Sequence, residues 1–505
     1  MGYESYFRIK VLKSTTMEIH RRPEAIITEI DSKELQKLGY RQQLRRTMGG
    51  FSSFAISFSL ISVLTGIFAN FNFGFSQVGG VIAWSWLLVG VGQFLVALVM
   101  ADLSARFPIS GYGYQWTARL INPHYGFFVG WFLLVQFITG FPGTSQAMAV
   151  TLNTMLGGES SGWTVSLITL AIITSVTIIH IYGIKIVSLV NNLGVYAELA
   201  GVTVLIATLT AIWLISGVVN TENLFRSVNA VSQNAAGFSS FALSLLLGAW
   251  CLTGFEAAAD LAEETRSPRK HVPRAVISSQ LSAALAGFLI LVLLVLSAGN
   301  IGLAQGSDNA LITLLENSIG IQATAATGMV VMFSIYACAV ASMATATRLL
   351  FSMSRDKIFP FSSFLAKVSQ KRQTPQIATL VIWVFSTIAI LTFRRIEIIT
   401  SVGAVAAYLG YSGIMLATLI TQKEMKPIEG FSLGRWRKLV QVFSLIWTLV
   451  VVAALGIPET DIPGVALKHL PALMALLVTI TGIILYLFYV RTKINKGVAG
   501  PPKVN

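Results

Sequence analysis

Apolar runs of about 20 residues, the length needed to cross the hydrocarbon of a bilayer, recur along almost the whole chain. Twelve can be read from the 505 residues: about 50–70, 80–102, 126–150, 164–184, 188–216, 237–262, 275–298, 323–347, 375–393, 399–421, 438–456 and 468–490. Charged residues make up 11% of the chain and hydrophobic ones 54%, and the mean hydropathy is +0.71. A soluble domain carries roughly 25% charged residues. The connections are short, so the spans predict one all-α polytopic membrane domain over about 49–490. A polar tail at 1–48, without the apolar stretch of a cleavable signal, and a second tail at 491–505 flank it.

The distribution of charge predicts orientation. With an inner N-terminus and twelve crossings, 32 of the 36 Lys and Arg fall on the inner side, and only Arg226, Arg394, Arg395 and Lys468 on the outer. This bias places both termini in the cytosol. The net charge of +14 is thereby read as topology, and no nucleic-acid partner is expected. Both cysteines, Cys251 and Cys338, lie in predicted spans, and the five histidines show no helical ligand spacing. No disulfide framework, metal site or cofactor is expected.

Two spans look interrupted. SSFAISFSLISVLTGIFANF (Ser52–Phe71) and SSFALSLLLGAWCLTGFEAA (Ser239–Ala258) share an opening Ser-Ser-Phe-Ala and reach Leu-Thr-Gly about three turns later, at Leu64-Thr65-Gly66 and Leu252-Thr253-Gly254. They are the first and sixth spans and so run in opposite directions, as an inverted five-plus-five repeat with core halves at about 49–217 and 236–421 requires. Unwound backbone at membrane depth persists only where it is buried in protein or lines a cavity. A binding site near the midplane is the expectation.

Three further stretches bear a resemblance. ADLSARFPISGYGYQW (Ala101–Trp116), GFEAAADLAEETRSPRKHVPRA (Gly254–Ala275) and RLLFSMSRDKIFP (Arg348–Pro360) resemble, in register, motifs of the amino acid–polyamine–organocation transporter superfamily. LTGIF and VNNLGVYAEL are similar to its amino acid/choline branch, the GABA permease-like permeases. Tyr112 and Ser267 depart from the usual Gly and Asn. The resemblance implies a LeuT-like core with discontinuous helices 1 and 6. By position it implies backbone donors at Ser62, Thr65 and Gly66 for a substrate carboxylate. Around the Gly254 break, carbonyls of Trp250, Cys251 and Thr253 would take the ammonium, with Phe255 as an aromatic gate or an ordinary packing residue.

Glu198 lies several apolar residues into the fifth span. An ionised carboxylate at that depth costs on the order of 2.5–3.5 kcal/mol on insertion scales, so it must be paired, wetted or protonated. The resemblance places it where a coupling Lys often stands in proton-driven relatives, facing the sodium region of sodium-driven ones. It is read either as a proton carrier or as a hydrogen-bonded packing residue. Glu256 is the one acid of its run expected to face the pocket or its inner vestibule. Asp260, Glu263 and Glu264 are expected to follow a half-helix down to the cytosolic interface. Asp102 and Arg106, four residues apart, are expected to be interfacial. Gln136, Phe141, Ser342 and Tyr408 are candidate pocket residues for the substrate side chain.

The reading is a secondary transporter of an amino acid or related amine, by proton symport or exchange, in the plasma membrane or the inner membrane of a bacterial cell. Sodium coupling, through hydroxyls such as Ser342, Thr345 and Thr347, is the rival mechanism. No catalytic constellation or phosphate-binding GxxxxGK[ST] loop marks an enzyme or an ATP-driven pump. No charge ring or filter-like repeat marks a channel, though a channel or transporter-like receptor remains a more distant class. The oligomeric state and the particular substrate are left open.

Overall fold

A computed structural model describes residues 23–158, 162–216, 220–226, 236–297, 301–304, 309–392, 394–422, 425, 428, 430–457 and 469–502. Residues 1–22 and 503–505 of the tails, and Lys468, Lys423 and Lys426 of the charge assignment, lie outside the described residues. A tail helix α1 (Pro23–Lys37) begins with Pro at its first position, where a missing N–H costs nothing. The first crossing is split into α2 (Gly50–Ile61) and α3 (Val63–Val78), and α4 (Ile82–Arg106) is the second. A short α5 (Tyr112–Leu120) leads to α6 (Pro123–Met155), whose start is fixed by Pro123 and by Asn122 accepting the Tyr125 N–H.

α7 (Trp163–Tyr182) and α8 (Ile184–Ser216) complete the first half. The second half holds α9 (Ala236–Cys251), a single turn α10 (Ala257–Asp260), α11 (Pro268–Ser297), a short α12 (Ala310–Ile319), α13 (Ile321–Arg355), a turn α14 (Ser362–Leu365), α15 (Gln376–Thr392) and α16 (Ile396–Ile420). α17 (Arg437–Gly456) and α18 (Leu470–Leu485), the latter running through a π turn into α19 (Arg491–Asn495), follow outside the repeats.

Nine helical stretches of the described residues are long and apolar enough to cross a membrane; one of them, Gly50–Arg106, holds the first two crossings. The shorter helices Phe238–Cys251 and Gln376–Thr392 supply the sixth and ninth. The molecule is therefore an all-helical, multi-pass integral membrane protein. Helices α5 and α12 have no counterpart in the hydropathy reading, because neither is long enough to register as a span.

The pairing of helices follows the repeat. The first span packs on the sixth (α3 on α9), the second on the seventh (α4 on α11), the third on the eighth (α6 on α13) and the fourth on the ninth (α7 on α15). Corresponding elements of two antiparallel halves meet this way around a pseudo-two-fold axis in the membrane plane. Burial sorts core from periphery. In its most apolar window Ile321–Arg355 is 72% buried within the protein, and Ala472–Asn495 only 11%. The eighth span is thus core, and the twelfth gives most of its surface to lipid.

The first and last stretches of the described residues converge on one face. A Cβ on Gly39 would meet the Pro502 ring at 2.6 Å, and the Gly500 N–H donates to the Asp356 carbonyl at 2.8 Å. This terminal face also carries α1, α5, α14 and the loops around residues 262–270.

Candidate functional site

The site is built where the two broken spans touch. α2 ends at Ile61 and α3 starts at Val63, and between them Ser62 takes φ 36° and ψ 90°, a left-handed departure that a non-glycine residue rarely makes. Its hydroxyl meets Thr65 Oγ1 at 2.5 Å. A new helix start at membrane depth leaves its first N–H groups without intrahelical partners and the positive end of a helix dipole unscreened. Glu198, reaching in from α8, answers both: Leu64 N–H donates to its Oε1 at 3.4 Å, and the Val63 N–H and Ser62 hydroxyl lie beside the same carboxyl group.

Sequence reading put this break at Leu64-Thr65-Gly66. It lies two residues earlier, and Thr65 and Gly66 are helical. Of the three expected backbone donors, Ser62 N–H is engaged by the Phe58 carbonyl at 2.9 Å and Gly66 N–H by the Ser62 carbonyl at 3.0 Å. The donors the break exposes are the first-turn N–H groups of Val63, Leu64 and Thr65, so of the three expected donors only Thr65 stays in place. Gly66 acts through its size instead: a Cβ there would fall 2.1 Å from Cys251 Sγ. The missing side chain lets α3 and α9 close on each other at the breaks.

In the sixth span α9 stops at Cys251, and residues 252–256 are irregular before α10. Gly254 has φ +103°, a conformation open to glycine, and a Cβ there would meet Leu60 Cγ at 2.6 Å. The unwound carbonyls are partly spoken for. Thr253 Oγ1 donates to the Trp250 carbonyl at 2.7 Å and Gln93 Nε2 to the Leu252 carbonyl at 3.1 Å. Cys251 turns its thiol towards the Ile61 and Ser62 carbonyls.

Between the breaks lies a small cavity of about 30 Å³, space for one or two waters and too small for an amino acid. Thr65, Trp250, Cys251, Thr253, Gly254, Gln136 and Ser342 line it. Ser62, Gly66, Phe255, Glu198, Phe141, Tyr408 and Glu256 do not. Phe255 and Phe141 are fully buried, and the Phe255 ring packs 6.0 Å from that of Tyr411. Tyr408 is buried beside Tyr411 at 5.7 Å.

Glu256 faces a cage rather than an inner vestibule. Its Oε1 accepts from Tyr411 OH at 2.7 Å and Gln136 Nε2 at 3.1 Å, and its Oε2 from Gly254 N–H at 3.0 Å. Nor does the acidic run emerge as a half-helix. After the single turn of α10 it tightens into a 3-10 turn, Ala262–Glu264, and all four acids are buried. Asp260 accepts from Gly111 N–H at 2.6 Å, Glu263 is clamped by Arg355 at 2.9 and 3.0 Å, and Glu264 by Arg348. Asp102 is likewise buried, between Arg106 and Arg437 at 3.3 Å each.

These contacts seal the terminal face beneath the cavity. The strap at residues 30–48 crosses it: Arg46 donates to the carbonyls of Ala262 and Thr265, Ser267 N–H to Asp31, and Met48 N–H to Glu264 O. Tyr40 OH donates to Asp356 Oδ1 at 2.6 Å under the Arg355 guanidinium, 3.9 Å from its ring. Tyr114 and Gln115 donate to the other Asp356 oxygen. Burial pushes the Asp356 carboxyl above the usual carboxylate range, against the pull of Arg355 and these donors. Sequence reasoning missed this lock. Its trace was the seven-residue spacing of Arg348 and Arg355 on one helix face opposite the adjacent Glu263 and Glu264. On the far side of the cavity a vestibule of about 490 Å³ opens between α3, α6, α12, α13 and the start of α16, with Arg394, Arg395, Glu316 and Glu397 on its wall.

Among the described residues no group of three or more His, Cys, Asp or Glu could hold a metal ion. Comparison with known proteins agrees with the architecture. Over 485 residues the chain is 27% identical to the amino-acid permease BAT1 of Arabidopsis thaliana, covering 88% of this chain and 92% of that protein. It is 26% identical over 462 residues to the BAT1 homolog of Oryza sativa subsp. japonica, with 84% and 87% covered. To a putative polyamine transporter of Candida albicans it is 25% identical over 467 residues, with 86% and 82% covered. The amino acid permease family model matches residues 48–486, and the chain belongs to that family.

Proposed function

We propose that this chain, a transporter of amino acids or amines by its family, works by alternating access and couples uptake to protons through Glu198. One observation carries the reading. Two opposed helices break at the same depth, and their breaks meet at a cavity between a sealed face and an open vestibule. The strongly basic terminal side is taken as cytosolic, the membrane as the plasma membrane, and the state as closed to the cytosol.

The first-turn N–H groups of α3 form an anion site, and that site has room for one negative charge. An ionised Glu198 and a substrate carboxylate compete for the same donors, so substrate binding and protonation of Glu198 assist each other. That linkage is what symport needs. The unwound carbonyls at residues 250–254 are the partner for the ammonium. Sodium coupling is less well supported, because the Thr345 and Thr347 hydroxyls bond the Ala341 and Met343 carbonyls of their own helix.

The test is uptake by purified protein in liposomes, across labelled amino acids and polyamines, under an imposed pH gradient. Sodium is replaced by choline once choline is excluded as a substrate. Saturable accumulation that follows the pH gradient and survives sodium removal supports the reading. Loss of uptake with sodium overturns the proton assignment, and an ion current without accumulation overturns the transporter.

A further inference from the structure

Gln136 is held by its neighbours in one orientation. On α6, in the third span, its Nε2 donates to Glu256 Oε1 at 3.1 Å and meets Tyr411 OH at 3.3 Å. Tyr411 OH spends its proton on the same Glu256 oxygen at 2.7 Å, so towards Gln136 the phenol can only accept. Glu256 is bound from its other side by Gly254 N–H. Turning the amide over would set Gln136 Oε1 against a carboxylate and an accepting phenol. The cage thus assigns the amide by chemistry.

The consequence lies at the other end of that amide. Gln136 Oε1 is buried and has no hydrogen-bond partner, and Gln136 is 6% exposed and lines the cavity between the breaks. A buried carbonyl oxygen without a donor costs roughly 1–3 kcal/mol. The hydroxyls of Thr65, Thr144, Thr253 and Ser342 line the same cavity, and none of them donates to this oxygen.

We propose that Gln136 Oε1 is a substrate-reading acceptor, oriented by Glu256 and Tyr411, which selects amino acids or amines whose side-chain end carries an N–H or O–H donor. This rests on the transport reading and deepens it. The main-chain breaks take the α-ammonium and α-carboxylate, common to all amino acids, whereas Gln136 distinguishes among them. A site built around a hydrogen bond rejects an isostere that lacks it more sharply than an apolar pocket rejects an added hydroxyl. Glu256 acts as a positioning residue: it touches Gln136, and Gln136 touches the substrate.

The experiment uses full-length protein in liposomes and isosteric pairs: asparagine against leucine, glutamine against methionine, and ornithine against norleucine. The wild type is expected to favour the donor-bearing member of each pair at least tenfold in kcat/KM. Gln136→Met should bring each ratio to within about threefold of unity, by raising KM for the donor-bearing member alone. Glu256→Gln, which keeps the shape but lets the amide face either way, should lower the ratios to an intermediate value. That variant decides the matter if Gln136→Met fails to fold. A wild type that favours the apolar isosteres, or ratios unchanged in the folded variants, overturns the proposal while leaving transport intact. Absence of uptake for every compound overturns the transport reading itself, and this assignment with it.

Discussion

Arg348 grips Glu264 across the base of the site, Nε to Oε1 at 2.7 Å and Nη2 to Oε2 at 3.3 Å, with both side chains almost wholly withdrawn from solvent. Such a pair gains little over a well-packed apolar pair, but removing one member strands a buried charge, at about 3–5 kcal/mol. Arg348→Met and Glu264→Met should each lower the melting temperature in detergent markedly. The double variant Arg348→Met/Glu264→Met should cost less than the sum of its parts. Additive losses in a thermal-melt double-mutant cycle would show that the two side chains act independently.

The hydrogen bond from Tyr40 to Asp356 ties the strap to the end of the eighth span. A hydrogen bond to a charged group contributes about 1.5–3 kcal/mol, so Tyr40→Phe should increase the share of molecules with the strap released about tenfold or more. Spin labels at the exposed positions Lys33 and Lys371 report this as a growing long-distance population. The same labels read a pH effect. Burial raises the Asp356 carboxyl in the closed face, and opening would return it towards its ordinary range. The closed form therefore holds the proton more tightly: closure strengthens as pH falls and weakens as pH rises through the raised value. Asp356→Asn should flatten that dependence. A pH response that survives this substitution would place the titrating group elsewhere.

What could be read from the sequence was what is local. Span positions follow from hydropathy over about 20 residues, and the Gly254 break from Thr-Gly ending an apolar run. Glu198 announced itself as a carboxyl among apolar neighbours. The break at Ser62 was not legible, because no glycine or proline marks it. Gly66, the residue that did look like a breaker, sits in regular helix close against Cys251, four residues beyond the distortion. The acidic run was misjudged for a related reason. Glu264 and Glu263 are neutralised by Arg348 and Arg355 from 84 and 92 residues away. No local pattern states such a pairing, and without partners the acids had to be placed at the water interface.

Gly66 gives a prediction with an internal control. Gly66→Ala would place its Cβ 2.1 Å from Cys251 Sγ and 2.3 Å from Cys251 Cβ. Overpacking of this kind costs about 1–3 kcal/mol or more, so the variant should melt lower and lose transport. Because the clash includes the Cys251 Cβ, adding Cys251→Ala should restore little, and adding Cys251→Gly should restore part of the melting temperature. Equal rescue by both would mean that the sulfur alone fills the space.

Glu198→Gln isolates the charge at the first break. The amide oxygen can still accept from the Leu64 N–H, so the helix start keeps its partner and the melting temperature should move little. What the amide lacks is an exchangeable charge. In the symport reading the neutral side chain mimics the protonated carrier: substrate should bind at least as tightly as to wild type at neutral pH, with its pH dependence lost. Net accumulation driven by a pH gradient should fall to background, while exchange of internal for external substrate persists. The measurement pairs gradient-driven uptake with counterflow in the same liposomes. Gradient-driven uptake equal to that of wild type would remove Glu198 from the proton path and leave it the role of a cap on α3.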